Sequence, residues 1–252
     1  MTVCYFTASG NCLYVARKIG GTLLSIPQLM KQDRIEIEDE AVGIVCPVYA
    51  VEMPMMVKEF LEKAKITTPY FFFIYTYGMG YAAAFAHVEL SCQKAGIKLS
   101  YINAVQMVDN YLPGFEMQHQ IDTLPKKNVE GKLQIICDDI SNRREKSVKI
   151  TAADRAQMAM YKNMLAKRIL RKDTAKSYIV NDDCIRCGIC AKVCPANNIT
   201  VSDKVNFGDR CEVCHACLHN CPKNAIHMKS EKSSVRFRNE HITLKDIIDS
   251  NE

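Results

Sequence analysis

Short apolar runs alternate with amphipathic segments over the first 110 residues of the chain. The apolar runs have few polar interruptions, which is what burial on both faces of a parallel sheet requires. Strands are predicted over residues 2–6, 22–26, 42–46, 70–76 and 99–108, and helices over residues 11–20, 54–65 and 81–95. A short irregular piece is predicted around Leu29. This alternation is typical of an α/β domain with a doubly wound, five-stranded parallel sheet.

Residues 126–172 are predicted to be helical, because apolar side chains recur there at helical spacing in two stripes. The first stripe is predicted to cover the sheet, and the second to lead to the next domain. The stripes consist of Val129, Leu133, Ile136, Cys137 and Ile140, and of Met158, Tyr161, Leu165 and Ile169. Near the end of the chain, Thr243 and Asp246 have the spacing of a capping box before Ile247, which predicts a last short helix docked on the body.

The composition changes between about Lys172 and Ser177, after which cysteines become frequent. A chain of 252 residues has room for one large domain or two small ones. We therefore predict a first domain over residues 1–172 and a second over residues 177–252, the second including a C-terminal tail.

One apolar segment raises the question of a membrane span, because residues 66–88 contain no charged side chain. Pro69, Gly78 and Gly80 favour instead a buried strand, a glycine turn and the beginning of a helix. The first residues of the chain also lack the basic segment of a secretory signal. We expect no membrane span and a cytoplasmic protein.

The overall composition is that of a globular chain, with 48% hydrophobic and 24% charged residues and a formal net charge of +5. These values exclude a disordered or collagen-like chain. Basic residues are dense only over residues 141–172. A solvated helical face is the first interpretation of that segment, docking of an acidic redox partner is the second, and nucleic-acid binding is not expected.

Thirteen cysteines are the most unusual feature of the composition, and eight of them form two runs of identical spacing, 27 residues apart. Each run ends in a Cys-Pro pair. The runs are Cys184, Cys187, Cys190 and Cys194, and then Cys211, Cys214, Cys217 and Cys221. In this spacing three thiolates surround one [4Fe-4S] cluster while the fourth binds the other cluster.

Cross-ligation therefore predicts two [4Fe-4S] clusters, each completed by a cysteine from the other run. The predicted ligands are Cys184, Cys187, Cys190 and Cys221 for the first cluster, and Cys211, Cys214, Cys217 and Cys194 for the second. Structural zinc is the alternative, but it uses two separated pairs of ligands rather than three cysteines within seven residues.

Other residues near the runs, and the remaining cysteines, receive simpler interpretations. His215 stands where the first run has Gly188, and it is interpreted, with His219, as a partly exposed surface histidine; proton-linked tuning of the nearby cluster is the alternative. Cys12 is a candidate reactive thiol at a helix N-terminus, although a role in a cofactor loop is favoured. The others, Cys4, Cys46, Cys92 and Cys137, are interpreted as small buried hydrophobic residues.

A hydroxyl-rich turn, Thr7–Cys12, follows the first predicted strand and enters a helix. Such a turn is either a phosphate site or a plain capped turn. Two further loops, residues 46–54 and 76–80, follow the third and fourth strands. All three loops lie at the carboxyl ends of strands, around the point where the strand order reverses and a ligand is expected.

The region from about Ser177 to Met228 resembles bacterial two-cluster ferredoxins, and the three loops resemble those of flavodoxins. Together with Asn110 and Tyr111, these motifs resemble the flavodoxin–ferredoxin fusion proteins of anaerobes over essentially the whole chain. The resemblance implies a flavodoxin-like doubly wound sheet, followed by a small α+β domain with two clusters. Ala8 and Cys12 depart from the family, which usually has glycine and a hydroxyl residue there.

The resemblance also implies a site for FMN at the three loops. Its phosphate would be held by the first loop, and its ring would lie between the other two. The implied residues are Thr7, Ala8, Ser9, Gly10, Asn11 and Cys12, then Pro47, Val48, Tyr49 and Ala50, and finally Thr76, Tyr77, Gly78 and Gly80. The segment from Asn110 to Phe115 is predicted to border both the flavin and the cluster domain.

These expectations favour an electron-transfer protein that passes low-potential electrons between two [4Fe-4S] clusters and FMN, to or from redox partner proteins. The alternative is a flavin-dependent reductase of a small organic acceptor, fed by its own ferredoxin domain. Tyr49, Tyr77, Glu52 and His87 are then the candidate proton donors. A redox sensor is a third and weaker hypothesis.

Overall fold

A computed structural model describes residues 1–81, 83–146, 148–161 and 173–252. Its first part contains seven strands, of which five form one parallel sheet in the order β2-β1-β4-β6-β7. The strands are β1 (Thr2–Tyr5), β2 (Thr22–Ser25), β3 (Glu36–Glu38), β4 (Val42–Pro47), β5 (Lys65–Thr67), β6 (Phe71–Tyr77) and β7 (Leu99–Gln106). Counted within the sheet, this order is 2-1-3-4-5, the flavodoxin-like order. The predicted fold class is confirmed.

The five predicted strands are present with shifts of no more than two residues at their ends. The strands β3 and β5 pair with each other in parallel and were not predicted. Each has three residues, and Ile37 is the only apolar residue of β3, so neither produces a recognisable pattern. Within the sheet, Gly43 allows a close approach, because a Cβ there would lie 2.0 Å from the ring of Phe72.

Helices cover both faces of the sheet. In this part of the chain they are α1 (Asn11–Ile19), α2 (Ile26–Leu29), α3 (Met55–Lys63), α4 (Ala84–Ala95), α5 (Met117–Asp122), α6 (Val129–Ser141) and α7 (Ala152–Met160), with a 3₁₀ turn at Leu124–Lys127. On α6, Leu133, Ile136 and Ile140 are buried, as the first apolar stripe predicted.

The prediction of one helical region over residues 126–172 is partly wrong. The helix α6 ends at Ser141, and Arg143 takes a left-handed backbone conformation with φ 51°. The segment then runs beside the sheet, where Lys146 N donates to Ser100 O over 2.8 Å. Leu165, Ile169 and the domain boundary near Lys172 lie outside the described residues.

The C-terminal part is a small α+β unit with two antiparallel strand pairs, β8 with β11 and β9 with β10. Its elements are β8 (Ile179–Val180), α8 (Ile189–Lys192), β9 (Ile199–Val201), β10 (Val205–Phe207), α9 (Ala216–His219), β11 (Ile226–His227) and α10 (Leu244–Asp249). A second buried cluster, which includes Tyr178, Leu218 and Phe237, forms its core.

The last helix, α10, packs on the body of the molecule as predicted, and its capping box between Thr243 and Asp246 is present. The Asp246 carboxylate accepts a hydrogen bond from Arg17 of α1 over 2.5 Å. Tyr5 and Ser250 share a hydrogen bond of 3.1 Å through their hydroxyl groups. None of the helices in the described part of the chain is long and apolar enough to cross a membrane.

Candidate functional site

A cleft lies at the carboxyl ends of the sheet strands. It is lined by Thr7, Ala8, Ser9, Asn11, Cys12, Pro47, Val48, Tyr49, Thr76, Tyr77, Gly78, Val108, Asp109 and Asn110. These residues belong to four loops, which follow β1, β4, β6 and β7. The sequence predicted the first three at one place, because parallel strands end at one edge of the sheet. The fourth, which follows β7, was predicted only from Asn110 onward.

Three of the predicted cleft residues do not line it: Gly10, Gly80 and Ala50, which lines an adjoining cavity instead. Gly10 has φ 98°, and a Cβ there would lie 2.9 Å from the Cβ of Ile242 in the C-terminal tail. Gly10 therefore permits both the left-handed turn of the loop and the approach of the tail. Gly80 is exposed beside the cleft.

Two residues that line the cleft have hydroxyl groups without a hydrogen-bond partner. The Thr7 hydroxyl and the Tyr49 hydroxyl are buried, and neither has a hydrogen-bond partner. Burial raises the pKa of Tyr49 well above its ordinary value, and the nearby thiols of Cys214 and Cys12 raise it further. Buried polar groups are rarely left unpaired, so these two hydroxyls fit a cleft that holds a polar ligand.

Cys12 is not an activated thiol. Burial raises its pKa to about 12, although the side-chain hydrogen bond with Thr76 opposes the shift. The sulfur lies 3.1 Å from the Thr76 hydroxyl oxygen. This direction of shift disfavours the alternative of a reactive Cys12 thiolate, because burial outweighs the effect of the helix N-terminus. Of the remaining cysteines, Cys137 is only partly buried.

The Thr7–Cys12 turn is braced from the C-terminal part of the chain. Asn239 N donates to Ser9 O over 2.8 Å, and Asn220 Nδ2 donates to Ala8 O over 3.3 Å. The Asn11 side chain donates to Val108 O and accepts from Asn239 Nδ2. The Asn11 amide group thus holds the turn, and its side-chain nitrogen is engaged within the protein. Nothing in the sequence spacing pointed to Asn220 or Asn239.

A second cavity of about 430 Å³ adjoins the first and shares Val48, Tyr49, Asp109 and Asn110 with it. Its other lining residues are Ala50, Met79, Tyr111, Gly114, Phe115, Val213 and His215. Val213 and His215 belong to the second cysteine run. The segment from Asn110 to Phe115 therefore borders both the cleft and the cysteine-rich unit, as the sequence predicted.

The eight cysteines of the two runs fall into two groups in space. Cys184, Cys187, Cys190 and Cys221 line one cavity. In the other group, burial raises the pKa of Cys217 most, and Cys214, Cys194 and Cys211 raise it more than Cys190 of the first group does. Each group thus contains three cysteines of one run and the last cysteine of the other, which is the grouping that cross-ligation requires.

The two runs share one backbone geometry, offset by the 27-residue repeat. Positive φ angles occur at Arg186 and Val213, at Gly188 and His215, and at Asn197 and Asn224. Asn198 N donates to Cys194 Sγ, and Ala225 N donates to Cys221 Sγ, each over 3.3 Å. Backbone N–H groups directed at sulfur stabilise negative charge there. Among the described residues, no three His, Cys, Asp or Glu side chains are grouped to hold a single metal ion.

The two cysteine groups differ in their exposure. In the first group Cys187 is exposed, and the neighbouring Ile185 side chain is 58% exposed. In the second, Cys214 and Cys217 are buried, and Cys214 belongs to the same hydrophobic cluster as the sheet. The second group therefore lies on the inner side, toward the cleft.

The interpretation of His215 and His219 as surface residues is wrong, because both side chains are buried. Burial lowers the pKa of His215 to about 4 and that of His219 to about 3. His219 Nδ1 accepts from Phe237 N over 3.1 Å, which leaves Nε2 to donate to Asn110 O over 2.8 Å. These shifts keep both imidazoles neutral near pH 7, contrary to a role for their protonation there.

The 4Fe-4S binding domain family matches residues 177–200, a range that contains the first cysteine run. Pyruvate synthase subunit PorD of Methanothermobacter marburgensis is 36% identical over 59 residues, which are 23% of this chain and 72% of that subunit.

Two solved structures are similar to about half of the chain. One is the rubredoxin oxygen:oxidoreductase from the anaerobe Desulfovibrio gigas, with a TM-score of 0.32 and 11% identity over 56% of this chain and 36% of that chain. The other is a flavodoxin from the domain Archaea, with a TM-score of 0.30 and 12% identity over 53% of this chain and 97% of that chain. The strand order of the sheet shows the flavodoxin-like fold.

The similarity to PorD covers most of that subunit, and the matched family is defined by cluster binding. A [4Fe-4S] cluster held by cysteine thiolates is a centre for electron transfer. The chain belongs to the family of 4Fe-4S binding domain proteins, and its ferredoxin-type unit follows a flavodoxin-like sheet.

Proposed function

We propose that this chain is an electron-transfer protein of the flavodoxin–ferredoxin fusion type, with FMN in the cleft and two [4Fe-4S] clusters in the cysteine-rich unit. In this proposal residues 1–172 form the flavin domain and residues 177–252 the ferredoxin domain. The partners are redox enzymes, and PorD, which is itself named as a subunit of an enzyme, supports that class of partner.

The proposal rests on one observation: residues of the second cysteine run and residues of the cleft line the same cavity. Val213 and His215 line the same cavity as Tyr49 and Phe115, and the Cys214 thiol is close enough to raise the pKa of Tyr49. A ligand in the cleft would therefore lie next to the second cysteine group. No encounter between separate molecules is needed, since both parts belong to one packed chain.

The residues of the cleft fit FMN. Thr7, with its unpartnered buried hydroxyl, is placed to donate to a phosphate, and the N-terminus of α1 favours negative charge. Tyr49 and Phe115 offer aromatic faces to a ring, and the Tyr49 hydroxyl lacks a partner. FMN, when bound, accepts one or two electrons, whereas clusters exchange them singly.

The exposure of the two cysteine groups supports an order in which electrons pass between them. The group of Cys184, Cys187, Cys190 and Cys221 reaches the surface, where Cys187 and Ile185 are exposed to a partner. The other group lies between it and the cleft. We propose that partner proteins exchange electrons with the outer group, and that the inner group connects it to the cleft.

A flavin-dependent reductase is the second candidate, and the size of the cavity beside the cleft favours it. At about 430 Å³ it has room for a small acceptor beside a ring system. Tyr49 is the best placed proton donor, since its unpartnered hydroxyl lies there. Glu52 and His87 contact each other, with 3.5 Å between Oε1 and Nδ1, and neither lines the cavity.

An anaerobic reductive titration of the purified protein tests the proposal. We expect about eight irons and eight acid-labile sulfides per chain, with one FMN, and stepwise reduction seen by absorption and EPR spectroscopy. Four irons would contradict the second cluster, and absence of FMN after reconstitution would contradict the flavin. Turnover of small acceptors without any partner protein would favour the reductase over the carrier.

A further inference from the structure

The second cysteine run departs from the first at one position whose backbone favours glycine. Gly188 has φ 78°, and His215, 27 residues later, has φ 59°. A non-glycine residue in the left-handed region costs about 1 kcal/mol. At this one position, the chain has glycine in the outer loop and a strained histidine in the loop that faces the cleft.

The His215 side chain is held in one orientation by aromatic neighbours. Its ring stacks on Tyr111 with 5.5 Å between centroids and an interplanar angle of 19°, and the edge of Tyr178 meets it at 6.3 Å. The side chain is 2% exposed and lines the cavity beside the cleft. Its ring is therefore fixed at the boundary between the cysteine-rich unit and the cleft.

His215 Nε2 is buried and has no hydrogen-bond partner. A buried polar atom left unpaired destabilises the protein by about 1–3 kcal/mol. By contrast, both ring nitrogens of His219, four residues later, have partners. His215 has a hydrogen bond with the Asn110 backbone, and Nε2 is the ring nitrogen that lacks a partner. A strained, buried side chain with an unpaired nitrogen at a cavity is expected where a ligand completes it.

We propose that His215 is a flavin-binding residue, whose Nε2 makes a hydrogen bond to the heteroaromatic ring in the cavity. The flavin site is then completed by the cysteine-rich unit, one residue away from Cys214. This inference rests on the proposed presence of FMN and adds to it the residue that contacts the ring.

The test compares flavin affinity in three variants with intact clusters. His215→Phe keeps an aromatic ring against Tyr111 but lacks Nε2, and His215→Gly restores the residue that the first run uses. Arg186→Gly is the matched control, because it makes the same kind of change at an exposed positive-φ position in the outer loop. Iron content and the EPR spectrum of each variant verify the clusters.

Dissociation constants are measured with FMN and with riboflavin by quenching of flavin fluorescence. We expect both His215 variants to bind FMN about tenfold more weakly than the wild type, as for one lost hydrogen bond, and the control to be unchanged. Riboflavin affinity should fall by the same factor, because the contact is to the ring and not to the phosphate.

Three outcomes distinguish the inference from the proposed function. Wild-type affinity in both His215 variants, with clusters intact, would overturn the role of His215 and leave the flavin site standing. A loss for FMN without a loss for riboflavin would also overturn it. Failure of the wild type to bind either flavin would overturn the proposed function together with this inference.

Discussion

His219 shows how a single residue connects three segments of this molecule. Its two ring nitrogens join Phe237 of the tail and Asn110 of the loop after β7, while its backbone lies between Cys217 and Cys221. The neighbouring Asn220 adds a bond to Ala8 O. Residues between cluster cysteines therefore also position the cleft.

The Gly10→Ala substitution tests the contact between the turn and the tail. Alanine would be strained at φ 98°, and its Cβ would crowd Ile242. Gly20→Ala is the control, since Gly20 has φ 83° but open space around it. We expect Gly20→Ala to cost about 1 kcal/mol and Gly10→Ala about 2–4 kcal/mol in urea unfolding. Equal losses would show that crowding by the tail contributes nothing.

The pH dependence of stability tests the burial of His87. Burial lowers its pKa below 6.5, so the unfolded chain takes up the proton first and stability falls as the pH drops through 6.5. We expect the melting temperature of the wild type to fall more steeply between pH 7.5 and 5.5 than that of His87→Gln. Parallel curves for His87→Gln and the wild type would refute this.

At the scale of elements, two helices begin with the same capping box but differ in packing. Thr151 and Asp154 cap α7, which has no buried residue over Ala152–Met160, whereas Thr243 and Asp246 cap α10. Ile247 of α10 is completely buried in the main core. The capping pattern starts both helices, and the apolar face decides which one holds the tail on the sheet.

This difference predicts unequal effects of equal substitutions. Thr243→Val and Thr151→Val each remove a capping hydroxyl, which accepts from the backbone N–H of the aspartate three residues later and donates to its carboxylate. Each loss should cost about 1 kcal/mol. Only Thr243→Val should loosen the tail over the Thr7–Cys12 turn. We expect faster amide hydrogen exchange at residues 8–11 in that variant and unchanged exchange there in Thr151→Val. Protection of the turn in both variants would contradict the bracing role of the tail.

At the scale of the whole molecule, the cysteine-rich unit is packed against the sheet rather than tethered to it. Val193, Cys214 and Ala216 belong to the same hydrophobic cluster as the sheet strands. Glu212 accepts a hydrogen bond from Met56 N at the beginning of α3. The inner cysteine group therefore has a fixed position relative to the cleft.

Removing one cysteine from each group tests this arrangement. Cys214→Ser and Cys187→Ser should each lose about half of the iron. Because Cys214 is buried beside Tyr49 and Cys187 is exposed, only Cys214→Ser is expected to weaken FMN binding, by about tenfold or more. Iron analysis and fluorescence titration measure both effects. Equal FMN affinities in the two variants would contradict the proximity of the inner group to the cleft.

The sequence predicted the features that depend on local pattern. Apolar runs predicted the five sheet strands, and the spacing of Thr243 and Asp246 predicted the last helix. It missed β3, which has one apolar residue, and it placed helix where Arg143 turns the chain. Short pairs and left-handed turns are fixed by neighbours in space, which a local pattern does not contain.

At the cleft, the three loops followed from the rule that parallel strands end at one edge. The burial of His215 and the raised pKa of the Cys12 thiol could not be predicted from the sequence. Tyr111 and Tyr178 cover His215, and Thr76 meets Cys12, although these partners lie far away along the chain. Exposure and pKa depend on such contacts and not on the residue's own neighbours in sequence.

The sequence by itself thus determined the sheet, the position of the loops and the repeated cysteine spacing, because each is encoded in periodicity or in fixed intervals along the chain. Only the tertiary structure decided which cysteine group faces the cleft, and that Asn220, Asn239 and His219 brace it. The physical reason is that the packing of one unit on another depends on side chains distant in sequence, whose contacts arise only when both units are folded.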